Sequence, residues 1–464
     1  MIAKAKSYWT RKSSFITINM IAVLLLDFAA GLCAQPLSIE GKVDEYLSPY
    51  LEMGNFSGSI LIARGDEILF SKGYGYSNIE QQIPNSPDTR FQIGSLGKQF
   101  VAAAIMQLQE RGLLSVNNPV ARFLPDYRYG NEVTIHHLLC HTSGLPMDLS
   151  DSADAGNRGE SSGSHLRDRL NNQRLLSEPG SQFRYSNVGY QLLYLIVYGA
   201  SGTHPDQYIR QNIFEPLGMT NTVVDTGTEI EAAATGYSIQ FHGPRDVAEF
   251  VPRWLGATYS TTEDLLAWAR GVAGARILSR ESVEIMLTPN LNSYGYAWFI
   301  TEHDGQTLLS HAGRMPGFSC VLSHLIESDI TVVILGNVVD YPRTRIRDDL
   351  LAIATDRPYA IPTAFEAIFI NPREFRKYVG RYRADDGSQI IIANTSEFLV
   401  LIYIPEGASP NYSNLPRYTL YPYAEHRFFC KAFDGQLEFR QFFDGTADLL
   451  LFTYNGDLSR YSRQ

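Results

Sequence analysis

Two strand-rich stretches, one near each end of the first 360 residues, limit the possible folds more than any other feature. The early stretch, Ser57 to Asn78, alternates apolar and polar residues around Arg64-Gly65-Asp66 and predicts a hairpin. The late stretch, Tyr294 to Asn337, predicts several strands joined by tight turns. Helical patterns lie between them. This order predicts an α/β fold of the α+β type, in which early and late strands close one mixed, mainly antiparallel sheet, flanked by helices and a helical lobe.

The helical patterns between the strands have recognisable limits. A helix is predicted to follow Ser95, and the stretch from Val133 to Pro146 predicts a short helix that ends in a turn. The mostly apolar stretch from Tyr185 to Tyr198 predicts a third helix. Another begins in the stretch from Thr261 to Gly274, with a Thr cap and acidic residues in its first turn. Residues 151–165 are polar and rich in Gly and Ser, which predicts a loop.

The last quarter of the chain differs from the rest. Residues 356–372 contain three prolines and predict a linker. Residues 373–464 are rich in Tyr, Phe and short alternating runs, which predicts a small all-β domain, either a barrel or a sandwich, without a catalytic constellation. The predicted organisation is therefore a signal peptide (1–34), a main domain (35–355), the linker and this β domain.

The N-terminus has the pattern of an export signal. Four basic residues precede an apolar run that ends in small residues at Ala34. Cleavage there predicts a periplasmic or secreted protein, and Asp27 inside the run leaves an uncleaved anchor as the alternative. The formal charge is −10, and without the first 34 residues it is about −13 by the same count. This acidity argues against nucleic acid, and against a membrane surface beyond the export signal, as a partner.

Neither a disulfide framework nor a metal site is predicted. Cys140, Cys320 and Cys430 form an odd, sparse set, interpreted as small buried apolar residues, with one pair left as the alternative. The side chains of His136, His137, Cys140 and His141 are candidate metal ligands, and His137 and His141 are spaced as on a zinc-binding helix. However, no Glu lies between them as in H-E-x-x-H, and no distal ligand is evident. We therefore predict no metal and no cofactor.

Chemistry is indicated where the helix after Ser95 begins. Ser95 and Lys98 form Ser-x-x-Lys, and residues three apart lie on one face of a helix, so hydroxyl and ammonium can meet. A lysine in the first turn faces the positive end of the helix dipole, which is unfavourable for a structural side chain. Burial and the dipole both lower the lysine pKa, so Lys98 can take the proton of Ser95. The motif alone is weak, because it is expected by chance about once in such a chain.

Further motifs follow in a fixed order. Gly94 precedes the serine, Tyr185-Ser186-Asn187 lies about 90 residues on, and His311-Ala312-Gly313 comes later, within "SHAGRMPGFS". With these motifs the chain resembles the serine β-lactamase and penicillin-binding-protein superfamily, specifically its class C-like branch of β-lactamases, esterases and D-amino-acid peptidases. The resemblance covers roughly residues 40 to 355. Similar hydrolases often carry a small lipocalin-like β barrel after the catalytic part.

The resemblance implies an acyl-enzyme mechanism. Ser95 is expected to attack a carbonyl carbon, with Lys98 and Tyr185 together as the base and the Tyr185 phenol partly ionised. Tyr185 is then expected to protonate the leaving group and to activate the hydrolytic water. The implied function is an exported serine hydrolase.

The resemblance also implies how substrate is held. Asn187 is expected to orient Lys98 or the substrate amide, and the strand from His311 to Gly313 to line the site, with Gly313 allowing close backbone approach. The backbone N–H groups of Ser95 and Arg314 are expected to form the oxyanion hole. The Arg314 side chain is a second source of positive charge if it turns inward.

One departure from the superfamily pattern bears on the substrate. His311 stands where β-lactamases and D-Ala carboxypeptidases carry a lysine, and a neutral histidine gives less charge near a substrate carboxylate. This favours esters, amides or D-amino-acid peptides as substrates. The alternatives are a β-lactamase or D-Ala-D-Ala carboxypeptidase, and a slow-turnover penicillin-binding sensor. The oligomeric state is left open.

Several motif matches are interpreted as structural. Tyr76 and Tyr412 also begin Tyr-Ser-Asn, and His303 also fits His-x-Gly, but none has the flanking residues of the matched motifs. Ser161 fits the Gly-x-Ser-x-Gly elbow of α/β-hydrolases. That elbow must follow a strand and open a helix, whereas Ser161 lies in the polar loop.

Overall fold

A six-stranded antiparallel sheet joins the two ends of the α/β part. The structure, a computed structural model, describes residues 37–149, 169–241, 246–251, 258–395, 397–406, 415–454 and 456–464. The predicted signal peptide, the predicted loop over 151–165 with Ser161, and Tyr412 lie outside these residues. From Val43 to Gln464 the chain is one compact unit, which contains the sheet and a β-barrel.

The helices and strands alternate irregularly along the α/β part and give way to strands in the C-terminal part. The helices are α1 (Ile39–Glu52), α2 (Gly97–Glu110), α3 (Ile135–Leu139), α4 (Asn187–Ser201), α5 (Pro205–Ile209), α6 (Glu215–Leu217), α7 (Thr262–Ala273), α8 (Arg280–Met286) and α9 (Arg343–Ala354). The strands are β1 (Gly58–Arg64), β2 (Glu67–Tyr74), β3 (Tyr76–Asn78), β4 (Ile83–Pro84), β5 (Phe91–Gln92), β6 (Val223–Val224), β7 (Gly236–Phe241), β8 (Asp246–Val251), β9 (Thr258–Ser260), β10 (Phe299–His303), β11 (Gln306–Met315), β12 (Phe318–Leu325), β13 (Ile330–Gly336), β14 (Gly380–Arg383), β15 (Gln389–Asn394), β16 (Leu399–Ile404), β17 (Tyr418–Ala424), β18 (Arg427–Cys430), β19 (Gly435–Phe443), β20 (Thr446–Tyr454) and β21 (Asp457–Arg463).

The main sheet confirms the predicted closure of early strands onto late ones. Its strand order is β10-β11-β12-β13-β1-β2, and the early hairpin enters through β1, which pairs with β13 so that Ile60 lies opposite Ile334. Strand β13 is buried along its whole length. Helices α7 and α9 both pack against it, which explains its continuous apolar sequence.

Local capping sets where the helices begin. The Thr261 hydroxyl accepts the Asp264 N–H and starts α7 where the sequence predicts. The Ser186 hydroxyl accepts the Gly189 N–H at 3.0 Å, so α4 starts at Asn187, two residues later than predicted. Tyr185 therefore precedes the helix. This difference is decisive for the site, because the Tyr185 ring is free to turn toward α2.

The C-terminal strands β14 to β21 close into an eight-stranded barrel, which decides between the predicted barrel and sandwich. Buried aromatic and aliphatic side chains fill its interior, among them Phe375, Tyr378, Tyr382, Phe428 and Phe439. Lys431 of the barrel donates from Nζ to the carbonyl of Met53 at 2.6 Å, and its own carbonyl accepts from Asn55 at 3.1 Å. The domain limits assigned from the sequence stay a prediction.

The three cysteines of the described residues belong to the protein interior. Cys140, Cys320 and Cys430 are all buried and unpaired, as the interpretation of small apolar residues requires. Among the helices in the described ranges, none has the length and apolar character to cross a bilayer.

Candidate active site

A tight turn places Ser95 at the edge of the main sheet. Gly94 to Leu96 form a 3₁₀ turn that leads directly into α2. Gly94 has a φ of +53°, and a Cβ there would lie 3.0 Å from the backbone nitrogen of Arg314 in β11. Only glycine meets both demands without strain, so Gly94 is what allows the turn to pack against the strand.

Gly313 makes the matching approach from β11. A Cβ at Gly313 would lie 1.9 Å from the carbonyl oxygen of Ile93 and 3.4 Å from the backbone nitrogen of Ser95. The strand and the turn are therefore in direct backbone contact. The backbone nitrogens of Ser95 and Arg314 both lie close to this junction, and their role as the donors of an oxyanion hole stays a prediction.

Lys98 lies one helical turn from Ser95 and contacts it directly. The Lys98 Nζ donates to Ser95 Oγ at 2.9 Å. It also lies 5.2 Å from the ring centre of Tyr185 and 5.7 Å from that of Tyr190. Burial lowers the pKa of Lys98 to about 8, opposed by the carboxylate of Asp148. A lysine with this pKa is partly neutral near pH 7.5 and can accept a proton.

Tyr185 reaches the same hydroxyl from the segment before α4. The Ser95 hydroxyl is close enough to lower the pKa of Tyr185, but burial outweighs it and raises that pKa to about 12. The expectation of a partly ionised phenol is therefore not met. The carboxylate of Asp148 raises the pKa of Tyr185 further. The neutral phenol can relay a proton, whereas Lys98 has the pKa of a base.

His141 supports Tyr185 from behind, a role that the sequence did not indicate. Its fully buried ring packs 4.1 Å from the Tyr185 ring centre, and its Nδ1 accepts the Ser186 N–H at 3.1 Å. Burial lowers the pKa of His141 far below its ordinary value, with Lys98 contributing in the same direction, so the ring is neutral. Its φ of +57° is rare for histidine and cannot be read from the residue type.

His311 is held in the protein interior and not presented as a charge. Its Nδ1 donates to the carbonyl of Ala312 at 2.9 Å, which leaves Nε2 to accept from the Tyr294 hydroxyl at 3.0 Å. Burial, with Lys98 and Arg343 adding to it, lowers the pKa of His311 to about 3. The sequence prediction of a neutral histidine beside the site agrees with this arrangement.

The two other predicted substrate-binding side chains are turned to acidic partners. The Asn187 amide donates to the Asp148 carboxylate at 2.8 Å, and Asp148 in turn acts on the pKa of Lys98. Asn187 thus reaches Lys98 through Asp148 and not by a hydrogen bond of its own in the described contacts. The Arg314 side chain is 64% exposed and binds Asp340 at 3.0 Å. Its guanidinium faces solvent, so the condition of an inward turn is not met.

The histidines considered as metal ligands have other partners. His136 Nδ1 lies 2.7 Å from the Tyr296 hydroxyl, and His137 Nδ1 accepts the Thr134 N–H in a capping box at the start of α3. His141 is engaged by Ser186. In the part of the chain that the structure describes, no three His, Cys, Asp or Glu side chains are grouped as a metal would require.

The motif matches interpreted as structural lie elsewhere. Tyr76 is on β3 with 47% of its side chain exposed. His303 ends β10, and the following Asp304 and Gly305 have φ values of 50° and 75°, which makes a two-residue hairpin turn. Both positions agree with their assignment to a hairpin and a turn.

Comparison with known proteins identifies relatives in sequence and in fold. "Penicillin-binding protein 4*" of Bacillus subtilis (strain 168) is 29% identical over 434 residues, which cover 86% of this chain and 94% of that protein. The octameric penicillin-binding protein homologue from Pyrococcus abyssi superposes with a TM-score of 0.61 at 26% identity, covering 91% of this chain and 99% of the other. A class C beta-lactamase shares the fold at 19% identity, with a TM-score of 0.59 over 69% of this chain and 98% of its own.

The family profile described as Beta-lactamase matches residues 43–356, which is well over half of the chain. The matched region contains the Ser95 turn, Lys98, Tyr185 and the β11 strand. On this match and on the relatives above, the chain belongs to the Beta-lactamase family of serine hydrolases, with the penicillin-binding proteins among its relatives.

Proposed function

We propose that this protein is an exported hydrolase that forms an acyl-enzyme on Ser95 and cleaves esters, amides or D-amino-acid peptides. One observation carries the proposal: the 2.9 Å contact between Lys98 Nζ and Ser95 Oγ, made by a lysine whose pKa falls to about 8. A serine hydroxyl is a weak nucleophile until a base takes its proton. The contact supplies that base at hydrogen-bond distance.

The reaction proceeds in two balanced halves. Neutral Lys98 takes the proton of Ser95 as Oγ bonds to the carbonyl carbon, and negative charge gathers on the carbonyl oxygen beside the two backbone N–H groups. The bond to the leaving alcohol or amine breaks, and that group takes the proton. Water then adds to the acyl carbon and gives a proton to the base. The Oγ–acyl bond breaks, the acid leaves, and the base returns its proton to Ser95.

Tyr185 serves in this scheme as a neutral relay. Ser95 acts on the pKa of its phenol, and the Lys98 Nζ lies 5.2 Å from its ring centre, so Tyr185 is placed to pass a proton between the lysine and the leaving group. The ring of His141 and the cap at Ser186 fix its position. A relay needs a hydroxyl in place but not an ionised one.

The two residues that the sequence offered as sources of positive charge for a substrate carboxylate, His311 and Arg314, do not supply it, which supports substrates without a carboxylate at this point. His311 is neutral and buried, and the Arg314 guanidinium is bound to Asp340 in solvent. The D-amino acid amidase from Ochrobactrum anthropi, whose structure in complex with D-phenylalanine has the same fold at 22% identity, is consistent with amide substrates of this kind. Penicillin-binding relatives keep β-lactam hydrolysis and D-Ala-D-Ala carboxypeptidase activity as the alternative.

The test combines a substrate panel with the mass of the intact protein. The panel consists of p-nitrophenyl esters, D-amino-acid amides, a D-Ala-D-Ala peptide and a β-lactam. We expect turnover of an ester or amide and a transient acyl mass on the Ser95 peptide, both absent from Ser95→Ala and retained by Ser161→Ala. A persistent acyl mass without turnover supports the penicillin-binding sensor instead. No turnover and no labelling by a fluorophosphonate or a penicillin would refute the proposal.

Export is tested separately. The four basic residues and the apolar run up to Ala34 predict removal of the leader. Expression of the full chain, cell fractionation and N-terminal sequencing should find a protein that starts at Gln35 outside the cytoplasmic membrane. Full-length protein in the membrane fraction supports the anchor alternative, and full-length protein in the cytosol contradicts export.

A further inference from the structure

We propose that Arg343 is a positioning residue for the oxyanion hole, because its guanidinium holds and polarises the peptide group that carries the Arg314 N–H. The inference rests on the proposed function, since it concerns the same site. Arg343 is the first residue of α9 and belongs to none of the motifs found in the sequence.

Arg343 contacts the carbonyl side of the peptide group that carries the Arg314 N–H. Arg343 Nη1 donates to the Gly313 carbonyl at 3.2 Å and to the Ser319 hydroxyl at 3.0 Å. In a trans peptide the C=O and the following N–H point in opposite directions within one plane. A donor fixed on the Gly313 oxygen therefore sets the direction of the Arg314 N–H, whose nitrogen lies beside the Gly94 turn.

The charge of Arg343 has no carboxylate partner in the described contacts. Its guanidinium is mostly buried, and burial lowers the pKa of Arg343, yet no acidic side chain within the described ranges lies within 4.0 Å of it. By contrast, Arg347 on the same helix pairs with Asp348 at 2.6 Å. A buried cation without a carboxylate partner is unfavourable for stability, and such groups are frequent at functional sites.

The charge of Arg343 acts on strand β11 beside the site. Arg343 is one of the groups that lower the pKa of His311, which neighbours Ala312 and Gly313 on β11. A cation bound to a carbonyl also strengthens the N–H of the same peptide as a donor. Negative charge on the reacting oxygen is therefore stabilised through the peptide, although Arg343 itself does not touch the substrate.

The expected loss of activity follows from the role proposed for Arg343. Removal of a complete oxyanion-hole donor lowers kcat by about 10²- to 10³-fold. Loss of the group that orients and polarises the donor leaves the N–H in place, so we expect roughly a tenfold loss of kcat/KM. The loss should fall on kcat, because charge develops only in the transition state.

The experiment uses the full chain with Arg343→Met, Arg343→Lys and, as the matched control on the same helix, Arg347→Met. A boronic acid inhibitor whose tetrahedral Ser95 adduct places an oxygen in the hole reports on oxyanion binding. For Arg343→Met we expect kcat and boronate affinity to fall by the same factor with KM little changed. Arg343→Lys, which keeps the cation, should recover part of the loss, and Arg347→Met should match the wild type.

Every outcome of this experiment either supports or overturns the inference. Equal kcat and equal boronate affinity in Arg343→Met, or a rise in KM alone, overturns the inference while leaving the acyl-enzyme intact. A shifted pH limb, with boronate affinity unchanged, assigns Arg343 to the pKa of Lys98 and also overturns it. If Arg343→Met does not fold, Ser319→Ala takes its place, because it removes the second acceptor of the guanidinium. Its kcat and its boronate affinity are then compared with those of the wild type. Failure of the proposed function is distinct: the wild type itself would then show neither turnover nor an acyl mass.

Discussion

The pKa of Lys98 predicts how the rate changes with pH. The neutral amine is the active form, so kcat/KM should rise as pH passes upward through the pKa of about 8. At pH 7 about one-tenth of the lysine is neutral, at pH 8 about half and at pH 9 about nine-tenths. The expected gain from pH 7 to pH 9 is therefore about tenfold, with a single proton on the rising limb.

A variant of Asp148 tests whether that limb belongs to Lys98. The Asp148 carboxylate raises the pKa of Lys98, so Asp148→Asn should move the limb to lower pH and raise kcat/KM at pH 7. Because Asn187 donates to the same carboxylate, an asparagine keeps an acceptor oxygen for it. The matched control is Asp126→Asn, which removes an exposed carboxylate of the helical lobe and should leave the limb in place.

The assay is the initial rate on an ester of a leaving group that does not titrate in the range, from pH 6 to 10, with background hydrolysis subtracted. A limb near 10.5, the ordinary lysine value, would mean that burial does not act on Lys98 as the geometry requires. A flat profile would mean that no base titrates. A limb near 8 that Asp148→Asn leaves unmoved would assign it to another group, and any of these refutes the reasoning.

Two further predictions concern β11. Gly313→Ala places a Cβ 1.9 Å from the Ile93 carbonyl, so the strand must withdraw from the Ser95 turn; we expect kcat/KM to fall about 10²-fold or more. Gly97→Ala, where the nearest atom is 3.8 Å away, is the control and should keep activity and thermal midpoint. His311 is neutral in the fold with a pKa near 3 against an ordinary 6.5, so its contribution to stability is complete above pH 6.5 and is lost as pH falls toward 3. Urea unfolding should therefore show His311→Gln losing about 2 kcal/mol less than the wild type between pH 6.5 and 4.5, and parallel losses would contradict this.

The parts of the fold that sequence predicts are those with a clear period or cap. The alternation around Gly65 gives the hairpin, and the Thr261 cap gives the start of α7. Alternation alone could not separate a barrel from a sandwich, because both have period two and differ only in whether β14 meets β21. The apolar run from Tyr185 was predicted as helix from its first residue. Ser186, which follows Tyr185, caps the helix instead, and the position of a cap depends on the backbone geometry.

The candidate site also combines contacts that the sequence predicts with contacts that it does not. The Ser95–Lys98 contact follows from helical spacing, and Tyr185 and the strand at His311 follow from the order of motifs. Other contributions join residues far apart and leave no local pattern: the Tyr294 hydroxyl on His311, and Arg343 on a carbonyl thirty positions earlier. A guanidinium that binds backbone needs no complementary residue type, so nothing in the sequence marks its partner.

The arrangement explains why a lysine can be the base in this site. A neutral lysine is favoured where burial is strong and carboxylates are few, and the groups packed around Lys98 are the neutral rings of Tyr185, Tyr190 and His141. Another fixed cation would make Lys98 a still weaker base by lowering its pKa further. The charge of Arg343 instead enters through the Gly313 peptide, on the side where the oxyanion forms. In the proposed function the site thus keeps positive charge where negative charge develops and withholds it from the substrate's other end, and this is why we propose uncharged esters and amides as substrates.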